Sequence, residues 1–362
     1  MRRNIITSMM AATAVICSMT VAAQAQVAER TPALEQMIKD AQKEGQLNVI
    51  WGSALGAAEG AQALQDAMNK AYGLNIKINY TPGPNMNQMT SRIVQEVQAG
   101  RPASSDLYIG VEVAITELVA NDVLAPVEWA KYFPYATGDM VQSKGRALLI
   151  TTLFNGITYN SKLIPKDKVP KTMAEVFRPE WKGKIASTSY AASFDRLALK
   201  NGLDKIKPIV EKTAEWASGF LRCGEAERIA TGEFLMLFLD CGRVDEQFLS
   251  ANGGPLDHAV LTDAAATSMW YAAIPKTSVH PNLAKLLSGY IVSQEGQALL
   301  EKYQHATSHL VPGTSANKIY KDLEASGYGV LALTPDDMEA HQKELLEYKK
   351  AFEKILATKA GK

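Results

Sequence analysis

The residues best placed to do chemistry in this chain lie in one short run. Ser187-Thr188-Ser189-Tyr190-Ala191-Ala192-Ser193 follows an apolar strand signal and precedes a helix signal. Hydroxyls and free backbone N–H groups therefore converge at the positive end of a helix, an arrangement that suits a carboxylate or a phosphate. Ser and Thr also favour such positions for the local reason that they cap helices, so a plain N-cap is the alternative reading. Ser53, Thr81 and Asn85 stand near the ends of two other strand signals and are candidates to meet the same anion. A basic partner for it is sought among Arg92, Arg146, Arg196 and Arg243.

Other chemistries lack their residues. The chain has no Gly-x-Ser-x-Gly elbow, no His-Glu-x-x-His, no phosphate-binding P-loop and no Gly-x-Gly-x-x-Gly, so no catalytic residue is assigned and a secreted hydrolase is the minor alternative. His305 and His309 have i, i+4 spacing, but Ala-Thr-Ser between them and Leu-Val-Pro-Gly after them read as a loop. No metal site and no cofactor are assigned there.

The first 25 residues are set apart from the fold. Arg2 and Arg3 precede a mostly apolar stretch that ends in Ala23-Gln24-Ala25, the pattern of a secretory signal peptide cleaved before Gln26. The stretch is shorter and more Ser/Thr-broken than a spanning helix, which is the alternative. Cleavage removes Cys17 and leaves Cys223 and Cys241 in a compartment where disulfides persist, the periplasm, and they are expected to pair. Such a bridge contributes about 3 kcal/mol by loop entropy; two buried free thiols are the alternative.

Composition narrows the remaining classes. The chain has 362 residues, 47% hydrophobic and 21% charged, with 38 basic against 38 acidic residues. Losing Arg2 and Arg3 with the leader leaves the mature chain at a formal charge of −2. That balance lacks the electrostatic footprint of a nucleic-acid binder, and no nucleic-acid partner is expected. The length suits roughly two domains of about 100 to 200 residues.

Elements that position the candidate residues alternate along the chain. Leu34, Met37, Ile38 and Ala41 recur at helical spacing, Gly45 stops that helix, and Leu47 to Trp51 reads as a buried strand. Helices are expected over 58–71, 86–99 and 112–120, with strands over 76–80 and 106–109 between them, the rhythm of a parallel sheet. Strand signals recur at 148–159, 185–187, 234–239 and 270–274. After Pro281 the pattern turns helical, and 335–357 reads as one charged amphipathic helix. The fold class expected is α/β in two lobes, with a ligand cleft lined by loops at the carboxyl ends of strands.

Two stretches carry a family resemblance. Tyr159-Asn160-Ser161-Lys162-Leu163-Ile164-Pro165, then Val169-Pro170-Lys171-Thr172 and Pro179-Glu180-Trp181-Lys182-Gly183-Lys184-Ile185-Ala186, resemble the central signature of family 1 extracellular solute-binding proteins, closest to the iron(III)-type branch. Ala272-Ala273-Ile274-Pro275-Lys276, His280 to Lys285 and Ser293 to Gln297 resemble that family's later segments. The resemblance implies a bilobal type II periplasmic binding fold with a two-strand hinge. It implies lobe one at 30–150 plus 268–362 and lobe two at 151–267, with crossings near Thr151-Thr152 and Ala264 to Thr267.

It also implies a monomer that delivers a solute to an ABC permease in the inner membrane, a chemoreceptor role being inseparable from transport by sequence. Ferric-binding relatives hold their metal with adjacent tyrosines, whereas the corresponding segment here runs from Gly232 to Gly242 through Asp240 with no tyrosine. The ligand set expected is Ser53, Thr81, Asn85, Ser187, Thr188, Ser189, Tyr190 and Asp240, for a small carboxylate or phosphate ester. Ferric iron is the alternative, with Tyr190 and Tyr271 as isolated ligands.

Overall fold

A computed structural model describes residues 30–360 of the chain apart from 53, 189–192, 223–224, 243–248 and 328. Ser53, Ser189, Tyr190, Cys223, Arg243 and the leader 1–25 therefore lie outside the described residues.

Local signals explain the first units. Helix α1 (Pro32–Glu44) begins where Thr31 Oγ1 accepts the Leu34 N–H at 3.0 Å and ends at Gly45, whose φ of 69° suits glycine. It buries Leu34, Met37, Ile38 and Ala41. Strand β1 (Gln46–Trp51) alternates, burying Leu47, Val49 and Trp51, and pairs in parallel with β2 (Lys77–Pro82) across α2 (Ala57–Tyr72). Helix α3 (Met86–Gln98) follows β2, and β3 (Tyr108–Val111) leads into α4 (Glu112–Ala120). A parallel bridge from Val49 to Leu107 joins β1 to the β3 segment.

The remaining strands of this lobe are β4 (Val141–Gln142), β5 (Ala147–Asn155) and the late-arriving β11 (Ala266–Ala273), in the order β3-β11-β5-β4. The second lobe is built on β6 (Ile157–Asn160), β7 (Ile185–Thr188), β8 (Ala217–Leu221), β9 (Met236–Phe238) and β10 (Leu256–Ala259), in the order β10-β6-β9-β7-β8. Within it β7 runs parallel to both β8 and β9. Helices α5 (Phe194–Asn201) and α6 (Leu203–Trp216) follow β7. Each lobe has its own apolar core, one around Trp129, Tyr271 and Phe133, the other around Phe177, Phe194 and Phe238.

The stretch expected as one strand over 148–159 is two, and they belong to different sheets. Gly156 separates β5 from β6, because a Cβ there would sit 2.2 Å from the Ala259 carbonyl oxygen. The two chain crossings touch at that point, and only a hydrogen side chain fits. The first crossing thus lies a few residues beyond Thr151-Thr152, while β11 starts at Ala266, inside the stretch expected for the second. A third segment also reaches this region: Leu331 donates its N–H to the Ala265 carbonyl and accepts from the Thr267 N–H.

The C-terminal region departs from the expected lobe boundaries. Helices α7 (Pro281–Ile291) and α8 (Gln294–Gln304) belong to the first lobe's core, as do residues around Val311 after them, before α9 (Ser315–Ala325). The expected helix over 335–357 is broken at His341: Pro335–Ala340 packs on α4, but α10 (Gln342–Ala360) packs on α5 and α6. Phe352 and Leu356 are fully buried in the second lobe's core, so assigning all of 268–362 to lobe one is corrected at its end. Amphipathic spacing shows that a helix buries one face; it carries no information on which lobe receives it.

One buried ion pair ties the lobes together beside the hinge. Glu112 at the start of α4 pairs with Arg196 of α5. Glu112 Oε2 accepts the Met269 N–H at 3.1 Å, and Arg196 Nη1 donates to the Thr267 carbonyl at 3.2 Å. These two groups complete the edge of β11 where β3 has ended. Burial pushes the Glu112 carboxyl above its ordinary range, against the pull of Arg196.

Glu112→Gln keeps an acceptor for Met269 but strands the guanidinium, which costs about 3–5 kcal/mol when a buried pair loses one partner. Removing Arg196 as well, as Met, is expected to restore part of that loss in urea unfolding. A double variant as unstable as the sum of its parts would show that the pair is not coupled.

Candidate functional site

The carboxyl ends of the parallel strands define where a ligand can meet both lobes. In the first lobe these ends are Trp51 of β1 and Pro82 of β2, and in the second Thr188 of β7, Leu221 of β8 and Phe238 of β9. Thr81 and Asn85 lie exposed at the first rim, and Asn85 Oδ1 is engaged in capping α3, accepting the Gln88 N–H at 3.0 Å. The structure thus brings Thr81 and Asn85 to one loop.

Ser187 and Thr188 lie at the end of β7 and are fully buried. The Ser187 hydroxyl donates to the Phe238 carbonyl at 3.2 Å, so it serves the β7–β9 pairing. Ser193 starts α5 with φ 72° and makes no side-chain cap.

Asp240 is the most heavily bonded of the expected site residues. Leu239, buried with φ 51°, turns the chain at the end of β9 and points Asp240 back at the crossing. Its Oδ1 accepts the N–H groups of Gly156 and Gly242, each at 3.0 Å, and its Oδ2 accepts the Thr158 hydroxyl at 2.8 Å. The Asn155 amide donates to the Asp240 carbonyl at 2.7 Å, and His258 Nε2 lies 3.2 Å from Oδ2, at ion-pair distance without hydrogen-bond alignment. Burial works to raise this carboxyl, but the nearby His258 and the hydrogen bonds outweigh it and hold the group below its usual range. The carboxylate is thus bound by the chain itself.

The candidate cations are placed very differently. Arg196 is committed to Glu112. Arg146 lies 3.7 Å from Asp122 and donates to the Ser143 carbonyl at 3.4 Å. Arg92 is exposed on α3. Arg222, absent from the sequence-based set, directly follows β8 and is exposed at the carboxyl rim of the second sheet, since Leu221 pairs with Thr188. Its signal was an arginine directly after the short stretch Ala217–Leu221.

The described residues proposed for metal chemistry are Tyr271, His305 and His309. Tyr271 is fully buried on β11, which pushes its phenol up from the ordinary value, with its hydroxyl 3.8 Å from Met269 Sδ. It is therefore corrected from isolated iron ligand to core residue. His305 has a left-handed backbone at the end of α8, and His309 is buried behind β5, its Nδ1 2.7 Å from Thr152 Oγ1 and its ring against Tyr320. Burial lowers the His309 pKa to about 4. Among the described residues no group of three or more His, Cys, Asp or Glu side chains is arranged to hold a metal ion.

The hinge strands supply a surface that the sequence reading did not assign. Asn155, Leu153 and Thr151 of β5 lie opposite Ala266, Ser268 and Trp270 of β11, so all six share one face. Gly242, in the loop after β9, sits against Leu153: a Cβ there would lie 2.6 Å from the leucine Cβ. This face therefore looks toward the strand-end loops of the second lobe and forms the floor between the rims.

Comparison with known proteins places this geometry. The pattern of the family described as "Bacterial extracellular solute-binding protein" matches residues 63–316. The Major ferric iron-binding protein of Neisseria gonorrhoeae is 23% identical over 270 residues, covering 67% of this chain and 75% of that protein. Iron-bound HitA from Pseudomonas aeruginosa superposes with a TM-score of 0.66 at 18% identity, over 85% of this chain and 99% of its own. AfuA from Actinobacillus pleuropneumoniae, with exogenous fructose-6-phosphate bound, gives a TM-score of 0.61 at 16% identity, over 84% and 99%.

The Asp240 node carries a pH signature. Because its folded pKa is depressed, its contribution is complete above the unfolded value of about 3.9 and is lost as pH falls through the lower folded value. Asp240→Asn keeps one oxygen for the Gly156 and Gly242 N–H groups but puts its NH2 at the Oδ2 position, against the Thr158 hydroxyl and His258, and is expected to cost about 1–3 kcal/mol at neutral pH. Urea unfolding from neutral pH to pH 3 should show a shallower acid decline in the variant, and parallel declines would remove Asp240 from the acid transition.

Proposed function

Since the chain belongs to the bacterial extracellular solute-binding protein family, we propose that it is the periplasmic component of an ABC importer that captures a small anionic organic solute, a carboxylate or a phosphate ester. The observation that supports this reading is the exposed Arg222 at the end of β8, next to Leu221, which pairs with Thr188 of β7, together with the exposed Thr81 and Asn85 at the end of β2 in the other lobe. Ser53, Ser189 and Tyr190 are proposed to complete the contact. Binding between two lobes joined by strands converts solute affinity into closure, so a permease distinguishes loaded from empty protein by shape. The protein binds rather than turns over, and acts as a monomer with a Cys223–Cys241 disulfide after loss of residues 1–25.

Ferric iron is the second reading, favoured by the names of the ferric iron-binding protein and of iron-bound HitA. Against it stands the chemistry of the β9 segment, where Phe238 and Leu239 are buried and Asp240 is already bonded. The phosphate ester in AfuA shows that this fold also accommodates an organic anion.

The test is a thermal-shift screen of the ligand-stripped secreted protein against carboxylates, phosphate esters, amines and ferric salts. The starting material is expected to have an intact mass beginning at Gln26 and no titratable thiol. A solute at about 100 times its Kd adds roughly 2.7 kcal/mol. A selective shift with an organic anion, weakened in Ser189→Ala without loss of unfolding midpoint, is the expected outcome; a shift with ferric salts alone overturns it.

A further inference from the structure

The hinge floor carries polar atoms that the fold leaves unused. Trp270 Nε1, Thr151 Oγ1 and Asn155 Oδ1 are each buried and without a hydrogen-bond partner among the described residues. Thr151 is fully buried and Asn155 is 4% exposed. The Asn155 amide nitrogen is held by the Asp240 carbonyl at 2.7 Å, which fixes the side chain so that its oxygen is the free end. All three side chains stand on the same face of β5 and β11, with Trp270 directly opposite Thr151.

Leaving three such atoms unpaired is costly in a folded protein, because each forfeits its hydrogen bond to water. The neighbouring strand faces show the contrast. On the opposite face, Thr152 is bonded to His309, and the edge of β11 is completed by Glu112 and Arg196. The face that carries Thr151, Asn155 and Trp270 thus holds three unsatisfied polar atoms within one short stretch of two paired strands.

The donor and acceptor types define what would satisfy them. Trp270 is a donor only, the free Asn155 oxygen an acceptor only, and Thr151 can serve as either. A carboxylate, a dianionic phosphate monoester group or a metal ion has no hydrogen to give Asn155. A hydroxyl group answers the Trp270–Thr151 pair, accepting from Trp270 and donating to Thr151, and a second hydroxyl farther along the strands answers Asn155, which stands opposite Ala266. We propose that Trp270, Thr151 and Asn155 form a specificity subsite for a hydroxylated portion of the solute, making the cargo a hydroxy acid or a polyol phosphate. This rests on the anionic reading above and adds the group that lies beyond the charge.

The test compares matched probes by calorimetric titration at pH 8: succinate against L-malate, and methyl phosphate against glucose 6-phosphate. In the wild-type chain the hydroxylated member of at least one pair is expected to bind about tenfold tighter, the scale of one well-placed buried hydrogen bond. In Thr151→Val and Trp270→Phe that ratio should fall toward one while binding of the plain anion is kept. Wild-type ratios near one, with the plain anions bound, overturn the subsite and leave the anionic reading standing. A high ratio unchanged in both variants also overturns it, showing that the hydroxyl is read elsewhere. Failure of all four probes to bind at millimolar concentration overturns the anionic reading and the subsite with it. Unfolding midpoints of the two variants separate a lost contact from a lost fold.

Discussion

Two lobes that share one pair of strands need those strands held where neither sheet can complete them, and the Glu112–Arg196 pair does this at the edge of β11. Strand β3 stops at Val111, leaving the Met269 N–H and the Thr267 carbonyl without a neighbouring strand. A carboxylate from one lobe and a guanidinium from the other take over those two bonds. Buried charges are expensive, and a pair in this position contributes little net stability compared with apolar residues. What it contributes is geometric: the α4 start, the α5 start and the returning strand must all meet for either charge to be neutralised.

A second polar centre works on the other crossing. Asp240 gathers the N–H groups of Gly156 and Gly242 and the Thr158 hydroxyl, joining the end of β9 to the point where the chain leaves the first sheet. Gly156 and the Ala259 carbonyl are in close contact there, so the crossings are packed without intervening side chains. The two centres explain why charged residues near the hinge are poor ligand candidates. Their electrostatics are consumed in holding the lobes, whereas Arg222, at a strand end, is exposed.

Much of the architecture was legible from spacing. Leu34, Met37, Ile38 and Ala41 predicted the buried face of α1, and Gly45 its end, because helix periodicity and capping are local. The strand–helix alternation and the 159–186 signature led to the bilobal α/β class. Less of the site could be read. Asp240 was included as part of the segment that carries the tyrosine pair in ferric-binding relatives, and only coordinates show its oxygens turned inward. Trp270 and Thr151 looked like ordinary members of apolar strands; their polar atoms matter because register sets them opposite each other on one face, with Asn155 farther along it. Tyr271, one residue from Trp270, points into the core instead, since successive strand residues face opposite ways.

The sequence by itself determined the class of protein, the order of its elements and the absence of a tyrosine pair in the β9 segment, all of which depend on residues near one another in the chain. Tertiary structure alone decided that α10 packs on the second lobe, that Arg196 answers Glu112 rather than a solute, and that the crossings meet at Gly156. The physical reason is range. Periodicity and capping are set within a few residues, whereas the partner of a buried charge or an apolar helix face is chosen by which distant segments the folded chain brings within contact distance.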